Sequence, residues 1–398
     1  MHSRQKLKTR RSNTLMNKEI AIIGIGIHPF GRTENLTGLQ QGTYAVNAAL
    51  SDAKLRWQDV DFAVGGSQDA GYADTMVSDL GLTGIPFTNV FNGCATGGTA
   101  LSTAMRTIAS GDGKLGVVTG FDKHPRGAFK VDPAEWGLGE WYGQAGFALT
   151  TQFFAMKIKR YMYDYGITEQ SLVKVAHKAF INAEQNANAW RRTPMPEDVI
   201  AESAMINDPL RKFMFCSPAE GGVALVVCAA DEAHKYSHKP IIIKACVMRT
   251  RRYGTFECFS AGKAITDSPT PAHFASKAAF ELTGITPDQV DIAQLQDTES
   301  GAEIMHMAET GLCQHGEQET MLANGETLIN GRLPINTDGG CIANGEPVGA
   351  SGLRQIHEIC LQLRGEAGPR QVQKTLKTGF TQVYGAPGIA GVTILQTE

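Results

Sequence analysis

The sequence predicts a layered α/β protein built from two similar halves, on three observations. Short apolar runs rich in Ile and Val, such as IAIIGIG (20–26) and GVALVV (222–227), are bounded by glycine and are too short for helices. Between them lie stretches whose apolar residues recur at helical spacing. The cycle of strand, tight turn and helix occurs before residue 120 and starts again after residue 239.

The elements follow in order. KEIAIIGIGIHPFG (18–31) opens with a strand at 20–26, and Gly24 and Gly26 are read as the turn that ends it. A dinucleotide fingerprint would need glycine at position 29, which is Pro29. A helix is expected from Tyr44 to Ala53, then strands at DFAVGGS (61–67) and FTNVFNG (87–93). Ala100, Leu101, Ala104, Met105 and Ile108 share one helical face, SGDGK (110–114) stops that helix, and LGVVTG (115–120) returns as a strand. Residues 121–210 hold Trp136, Trp141 and Trp190, three of the four tryptophans, and read as a cap inserted over this first unit. CSPAEGGVALVVCAA (216–230) closes the first half with a glycine turn and a buried strand. The second cycle runs through PIIIKACVM (240–248), a helix at 273–284, VDIAQLQD (290–297), a helix at 300–310, LPINTDGG (333–340), a helix at 350–364 and a final strand, GVTILQT (391–397). The expected organisation is a leader over 1–16, a first half over 17–237 that includes the cap, and a second half over 238–398.

At 398 residues, 42% hydrophobic and 19% charged, the chain can bury two cores. A net charge of −3 offers no basic stripe, which argues against nucleic acid as a partner. Eight scattered cysteines without a C-x-x-C pair predict no metal site, and with no apolar run of about 20 residues they point to a cytoplasmic protein without a membrane span. The leader is basic (Arg4, Lys6, Lys8, Arg10, Arg11), carries no acid and no apolar core, and reads as disordered rather than as a secretory signal.

Cys94 stands in FNGCATGG (91–98), between a strand and a helix. Backbone N–H groups and the positive end of the helix dipole at such a place favour thiolate and can hold an oxyanion. Gly93, Ala95, Gly97 and Gly98 leave room for a substrate carbonyl. A buried packing thiol is the alternative, since that is the usual role of free cysteine.

NGCATGGTAL (92–101) resembles the nucleophile segment of the thiolases, in particular the sterol-carrier-protein branch. The resemblance continues through IAIIGIGIHPFG, CSPAEGGVALV and INTDGGCIANGEPVGASGLRQIHEICLQLRGEAG (335–368), and spans about residues 17–397. It implies the thiolase fold of five layers, αβαβα, a homodimer, and an acyl-CoA bound under the cap. It also implies two-step acyl transfer with coenzyme A as co-substrate and no bound cofactor.

The chain departs from that pattern at three places. Where the family has Gly-His-Pro, this sequence has Gly345-Glu346-Pro347, so Glu346 is the candidate base, against the alternative that it pairs with a cation. The family's Asn-Glu-Ala-Phe or His-Asp-Cys-Phe segment reads Gln296-Asp297-Thr298-Glu299. Gln296 is a candidate holder of an oxyanion-hole water, and Asp297 is expected to order a loop. The C-terminal loop has no second catalytic cysteine and reads QVYGAPG (382–388), which makes Tyr384 a candidate proton relay. Asn344, Gly345, Gly385 and Gly388 are the candidate substrate and oxyanion loop positions, and Cys341 is read as packing. Three functions compete: cleavage of a 3-ketoacyl-CoA, bulky or aromatic in its acyl part, through a Cys94 acyl-enzyme; retro-aldol cleavage of a β-hydroxyacyl-CoA with a tyrosine base; and an acyl-CoA-binding subunit without catalysis. The resemblance further implies a small zinc-ribbon and OB-fold partner subunit.

Overall fold

The computed structural model describes residues 18–260 and 269–398, so the leader over 1–16 lies outside the described residues. Eleven strands are formed: β1 (Ile20–Gly31), β2 (Phe62–Gly66), β3 (Phe87–Asn89), β4 (Leu115–Lys123), β5 (Met205–Asn207), β6 (Leu210–Arg211), β7 (Glu220–Ala229), β8 (Ile241–Thr250), β9 (Ile292–Leu295), β10 (Thr378–Gly385) and β11 (Ile389–Gln396). Nine of them join in the order β3-β2-β4-β7-β1-β8-β11-β10-β9, with β5 and β6 as a separate hairpin.

The order contains one pattern twice. In the first five strands β2 is parallel to β4, and β4, β7 and β1 are antiparallel in turn. In the last four β9 is parallel to β10, and β10, β11 and β8 are antiparallel in turn. A parallel bridge from Ile335 to Ala293 of β9 stands where β3 stands beside β2. The two sets meet only where Ile20, Ala21 and Ile22 of β1 face Ile243, Ile242 and Ile241 of β8.

Helices fill three layers around these sheets. Helix α1 (Gly38–Asp52) packs against Ala21 and Ile23 on one outer face, and α5 (Pro271–Thr283) covers Ala245 and Val247 on the other. Between the sheets lie α2 (Thr96–Ser110) and α8 (Ser351–Arg364), whose Leu101 and Leu353 share a core with Ile20 and Ile22. The result is the five-layer αβαβα arrangement. Alternate residues of β1 enter different cores, which explains why its run is apolar without interruption.

Several element readings change. Strand β1 continues through Gly24 and Gly26 to Gly31. Those glycines do not turn the chain; a Cβ at either would collide with the α1 backbone at Ala45 and Ala49, so they admit a helix at close range. Helix α1 begins six residues before Tyr44, because Thr37 and Gln40 form a capping box. Of the segment 382–388, read as loop, residues 382–385 belong to strand β10, and only the short turn to β11 is irregular.

The cap contributes α3 (Thr150–Tyr165) and α4 (Glu169–Glu184). It does not simply overlie the first unit. Ala179 and Ala183 of α4 pack on Ile304 of α6 (Ser300–Glu309) and on Ile342 and Ala343 of α7 (Gly340–Asn344), all in the second half of the chain. The contact is also polar: Lys178 pairs with buried Glu303, and Asn182 Nδ2 donates to the Asn336 carbonyl at 3.0 Å. Among the described residues no helix is long and apolar enough to cross a membrane.

Candidate active site

Cys94 lies in the turn between β3 and α2, one residue before the helix cap Ala95. The turn is tied from within. Thr96 Oγ1 accepts the Asn92 backbone N–H at 2.9 Å and donates to the Gly93 carbonyl at 2.6 Å, and Asn92 Nδ2 donates to Thr99 Oγ1 at 2.8 Å. Gly93 has φ +55°, and a Cβ there would stand 2.9 Å from the Ala386 carbonyl oxygen. The half-buried Cys94 thereby faces a cavity of about 230 Å³.

The neighbouring glycines serve packing more than access. A Cβ on Gly97 would come within 2.8 Å of the Leu353 backbone nitrogen, and one on Gly98 within 3.1 Å of Met248 Sδ. They let the first turns of α2 and α8 touch.

Glu346 shares the cavity wall with Cys94. It is 1% exposed, and its backbone is pinned on both sides. Glu346 N donates to the Ser217 carbonyl at 2.9 Å; Val348 N donates to His124 Nε2 at 3.0 Å and Gly349 N to Asp122 Oδ2 at 2.7 Å. Because His124 Nε2 accepts, its proton sits on Nδ1, which meets Asp69 Oδ2 at 2.6 Å. The carboxylate takes hydrogen bonds from Gln296 Nε2 and, at 3.4 Å, from Cys216 Sγ. Its described partners include no cation.

Electrostatics at Cys94 run against the expectation of a lowered pKa. Burial, then the charge and hydrogen bonding of Glu346, push the thiol well above its usual range. Cys94 therefore rests protonated beside a carboxylate that can take its proton.

The other candidates are placed as follows. Gln296 is buried, and both ends of its amide are occupied: Nε2 donates to Glu346, and Oε1 accepts the Tyr384 backbone N–H. It thereby ties the Glu346 carboxylate to the end of β10 at Tyr384. Tyr384 lines the cavity, but its phenol donates to Glu257 Oε2 at 2.7 Å, and burial followed by the Glu257 charge pushes its pKa far up. Asp297 accepts the N–H groups of Cys341 and Ile342 at 2.6 and 3.2 Å and so orders the loop before Glu346. Cys341 is fully buried and outside the cavity wall. Asn344 donates to the carbonyls of Asp338 and Gly340 at 3.0 and 2.8 Å and stays below the surface of the site. Gly345, Gly385 and Gly388 shape the wall without lining it. A Cβ at Gly345 would meet Ala219 Cβ at 2.5 Å and one at Gly388 would meet Glu257 Cγ at 2.7 Å, while at Gly385 it would strike the Asn92 carbonyl. Ala386 is the loop residue that reaches the cavity.

Two functional candidates escape the sequence reading. Cys216 is one of the scattered cysteines to which the sequence assigns no role, yet it faces the cavity and bonds Glu346. Glu257, fully buried beside Lys157 at 3.9 Å, holds the Tyr384 phenol across 127 residues of chain. The first had a signal, since Cys216 precedes a Ser-Pro turn into a buried strand; the second had none. Phe129, Trp136, Phe154, Phe215 and Phe259 bring aromatic rings to the cavity, and Lys130 and Lys212 bring cations to it. Among the described residues no cluster of three or more His, Cys, Asp or Glu is arranged to hold a metal.

The chain is similar to several known proteins. Residues 257–397 match the family model described as thiolase C-terminal domain-like. An acetyl-CoA acetyltransferase of Methanothermobacter thermautotrophicus is 32% identical, over 93% of this chain and 97% of that protein. Benzoylsuccinyl-CoA thiolase subunit BbsB of Thauera aromatica is 28% identical, over 93% and 95%. Among solved structures, the Ltp2-ChsH2(DUF35) aldolase superposes with a TM-score of 0.85 at 25% identity, covering 95% of this chain and 98% of that one.

Proposed function

The chain belongs to the thiolase family, and on that premise we propose that it is an acyl-CoA C-acyltransferase that cleaves a 3-ketoacyl-CoA with coenzyme A through a Cys94 acyl-enzyme. The observation that carries this reading is the placement of Cys94 and Glu346 on one cavity wall, with the carboxylate held by Gln296 and no cation among its described partners.

The chemistry follows from that placement. Glu346 takes the Cys94 proton, and the thiolate adds to the keto carbon. Collapse breaks the carbon–carbon bond and leaves the acyl group on sulfur, while the electron pair stays on the α-carbon of the shorter acyl-CoA, which takes up a proton as it leaves; coenzyme A later gives up its thiol proton in exchange. Coenzyme A then attacks the thioester, and Cys94 recovers its proton from Glu346. Coenzyme A enters as co-substrate, and no resident cofactor is needed. The aromatic wall suits a bulky or aromatic acyl group, in keeping with the name of BbsB, and Lys130 and Lys212 can meet the phosphates of the carrier.

Partner proteins belong to the same proposal. BbsB is by name a subunit, and the Ltp2 aldolase structure pairs its chain with a DUF35 protein. Both support a partner subunit, for which we propose a small zinc-ribbon and OB-fold protein beside a homodimeric core, in the cytoplasm.

A second reading, retro-aldol cleavage of a β-hydroxyacyl-CoA, draws on the aldolase likeness and on Tyr384 in the wall. The bond from Tyr384 to Glu257 weighs against it, because a phenol beside a carboxylate is a poor base at rest. Mass spectrometry after incubation with 3-ketoacyl-CoAs decides between them. An acyl adduct on Cys94, absent in Cys94→Ser, supports acyl transfer. Cleavage of a β-hydroxyacyl-CoA that survives Cys94→Ser and is lost in Tyr384→Phe establishes the lyase; neither activity, with acyl-CoA still bound, leaves a non-catalytic subunit.

A further inference from the structure

The acyltransfer reaction moves two protons of different kinds. One leaves the attacking thiol and one must reach the carbon of the departing acyl-CoA, so either Glu346 carries the two in succession or a second group in the cavity delivers the latter. We propose that Cys216 is the second proton carrier of this site, protonating the carbanion in the first step and taking the proton of coenzyme A in the second. This rests on the acyltransferase reading above.

Geometry singles out Cys216. Its sulfur faces the cavity that Cys94 faces, and it donates to Glu346 Oε2 at 3.4 Å while Gln296 occupies Oε1. The backbone around it is fixed: Cys216 N donates to the Thr298 carbonyl at 2.9 Å, and Pro218 bridges to Glu346. Arg191 adds a strap, reaching the Phe215 carbonyl at 3.4 Å, the Ile342 carbonyl at 3.1 Å and Ser217 Oγ. The alternatives are committed elsewhere. Tyr384 donates its proton to Glu257, and Cys341 lies outside the cavity.

The shared carboxylate also times the transfer. At rest burial and the Glu346 charge keep Cys216 protonated, as an acid must be. Once Glu346 carries the Cys94 proton, that charge is gone and Cys216 becomes a stronger acid just as the carbanion forms. The electrons balance. The carbon–carbon pair stays on the α-carbon of the leaving acyl-CoA, which takes the Cys216 proton and leaves a thiolate. That thiolate accepts the proton of coenzyme A, whose sulfur attacks the acyl-enzyme, and the proton on Glu346 returns to Cys94.

The test separates the two sulfurs. Native protein, Cys216→Ala and Cys216→Ser are incubated with acetyl-CoA in D2O, and deuterium entering the methyl group is followed by mass spectrometry. Acylation of Cys94 is measured separately with p-nitrophenyl acetate, whose leaving group needs no proton. Both variants should exchange roughly 10²-fold more slowly or worse, with the p-nitrophenol burst within a few-fold of native. Exchange at the native rate in either variant overturns the proposal, as does loss of burst and exchange together in the well-folded Cys216→Ser protein. A native protein that acylates Cys94 but exchanges no methyl proton also overturns it. If native Cys94 is not acylated at all, the acyltransferase reading itself fails.

Discussion

Gln296 and Glu346 meet through an amide-to-carboxylate hydrogen bond buried at the back of the cavity, and the oxygen of the same amide holds the backbone N–H of Tyr384. A strand end, the Glu346 carboxylate and the cavity wall are therefore positioned by one side chain.

Replacing Gln296 with Leu should lower kcat for thiolysis by about 10- to 100-fold. The loss corresponds to a hydrogen bond to a charged group, about 1.5–3 kcal/mol. Steady-state kinetics should show the change in kcat with KM moving little. A change confined to KM would assign Gln296 to substrate binding instead.

Glu346→Gln should split two measurements. The carboxylate raises the Cys94 pKa, so a neutral amide lowers it, and alkylation by iodoacetamide near pH 7.5 should become several-fold faster. Thiolysis should fall by roughly 10²-fold because the base is lost. In the native protein alkylation should be slow at neutral pH and rise with pH beyond 9, the reverse of what the helix-terminal position alone suggests. Peptide mapping of the labelled thiol checks both.

Much of this architecture is legible in the sequence, and the reasons differ by element. The run of Ile residues in β1 shows a strand buried on both faces, because nothing polar interrupts it. Cys94 is legible because a thiol between strand and helix signals are both local features. Contacts between distant segments are not legible. Gly24 and Gly26 look like a turn until α1 is placed against them, and Glu257 has no local mark that it will hold Tyr384. The Cys94 pKa fails for the same reason: the dipole is visible in the sequence, the burial and the carboxylate beside it only in three dimensions.

Two neighbouring glycines should respond differently to alanine. At Gly97 the new methyl meets the Leu353 backbone, which cannot yield, and the cost should be about 1–3 kcal/mol. At Gly98 it meets the end of the Met248 side chain, which can swing away, so stability should change little. Urea unfolding of the two variants gives the comparison.

Glu299 should make stability fall as pH rises. Burial lifts its carboxyl to about 8, against the N–H groups of Gly301 and Ala302 that hold it down. The folded protein thus keeps a proton that the unfolded chain releases near pH 4.3, and the difference costs stability progressively between those values. Glu299→Gln, neutral throughout, should melt at least about 2 °C above the native protein at pH 8 and close to it at pH 5. Equal melting at both pH values would show that Glu299 ionises freely in the fold.

The repeated strand order has a consequence for how the chemistry is aligned. Cys94 precedes the central helix of one repeat and Glu346 precedes that of the other, and the two helices touch at Gly97 and Leu353. The proposed nucleophile and base are thus carried on separate copies of the same scaffold, like two blades on one pivot. Any change that rotates α2 against α8 alters the distance between sulfur and carboxylate while leaving each loop intact. Activity should therefore respond to substitutions along that helix contact that touch neither group, and the enzyme's precision is set where its halves bear on each other.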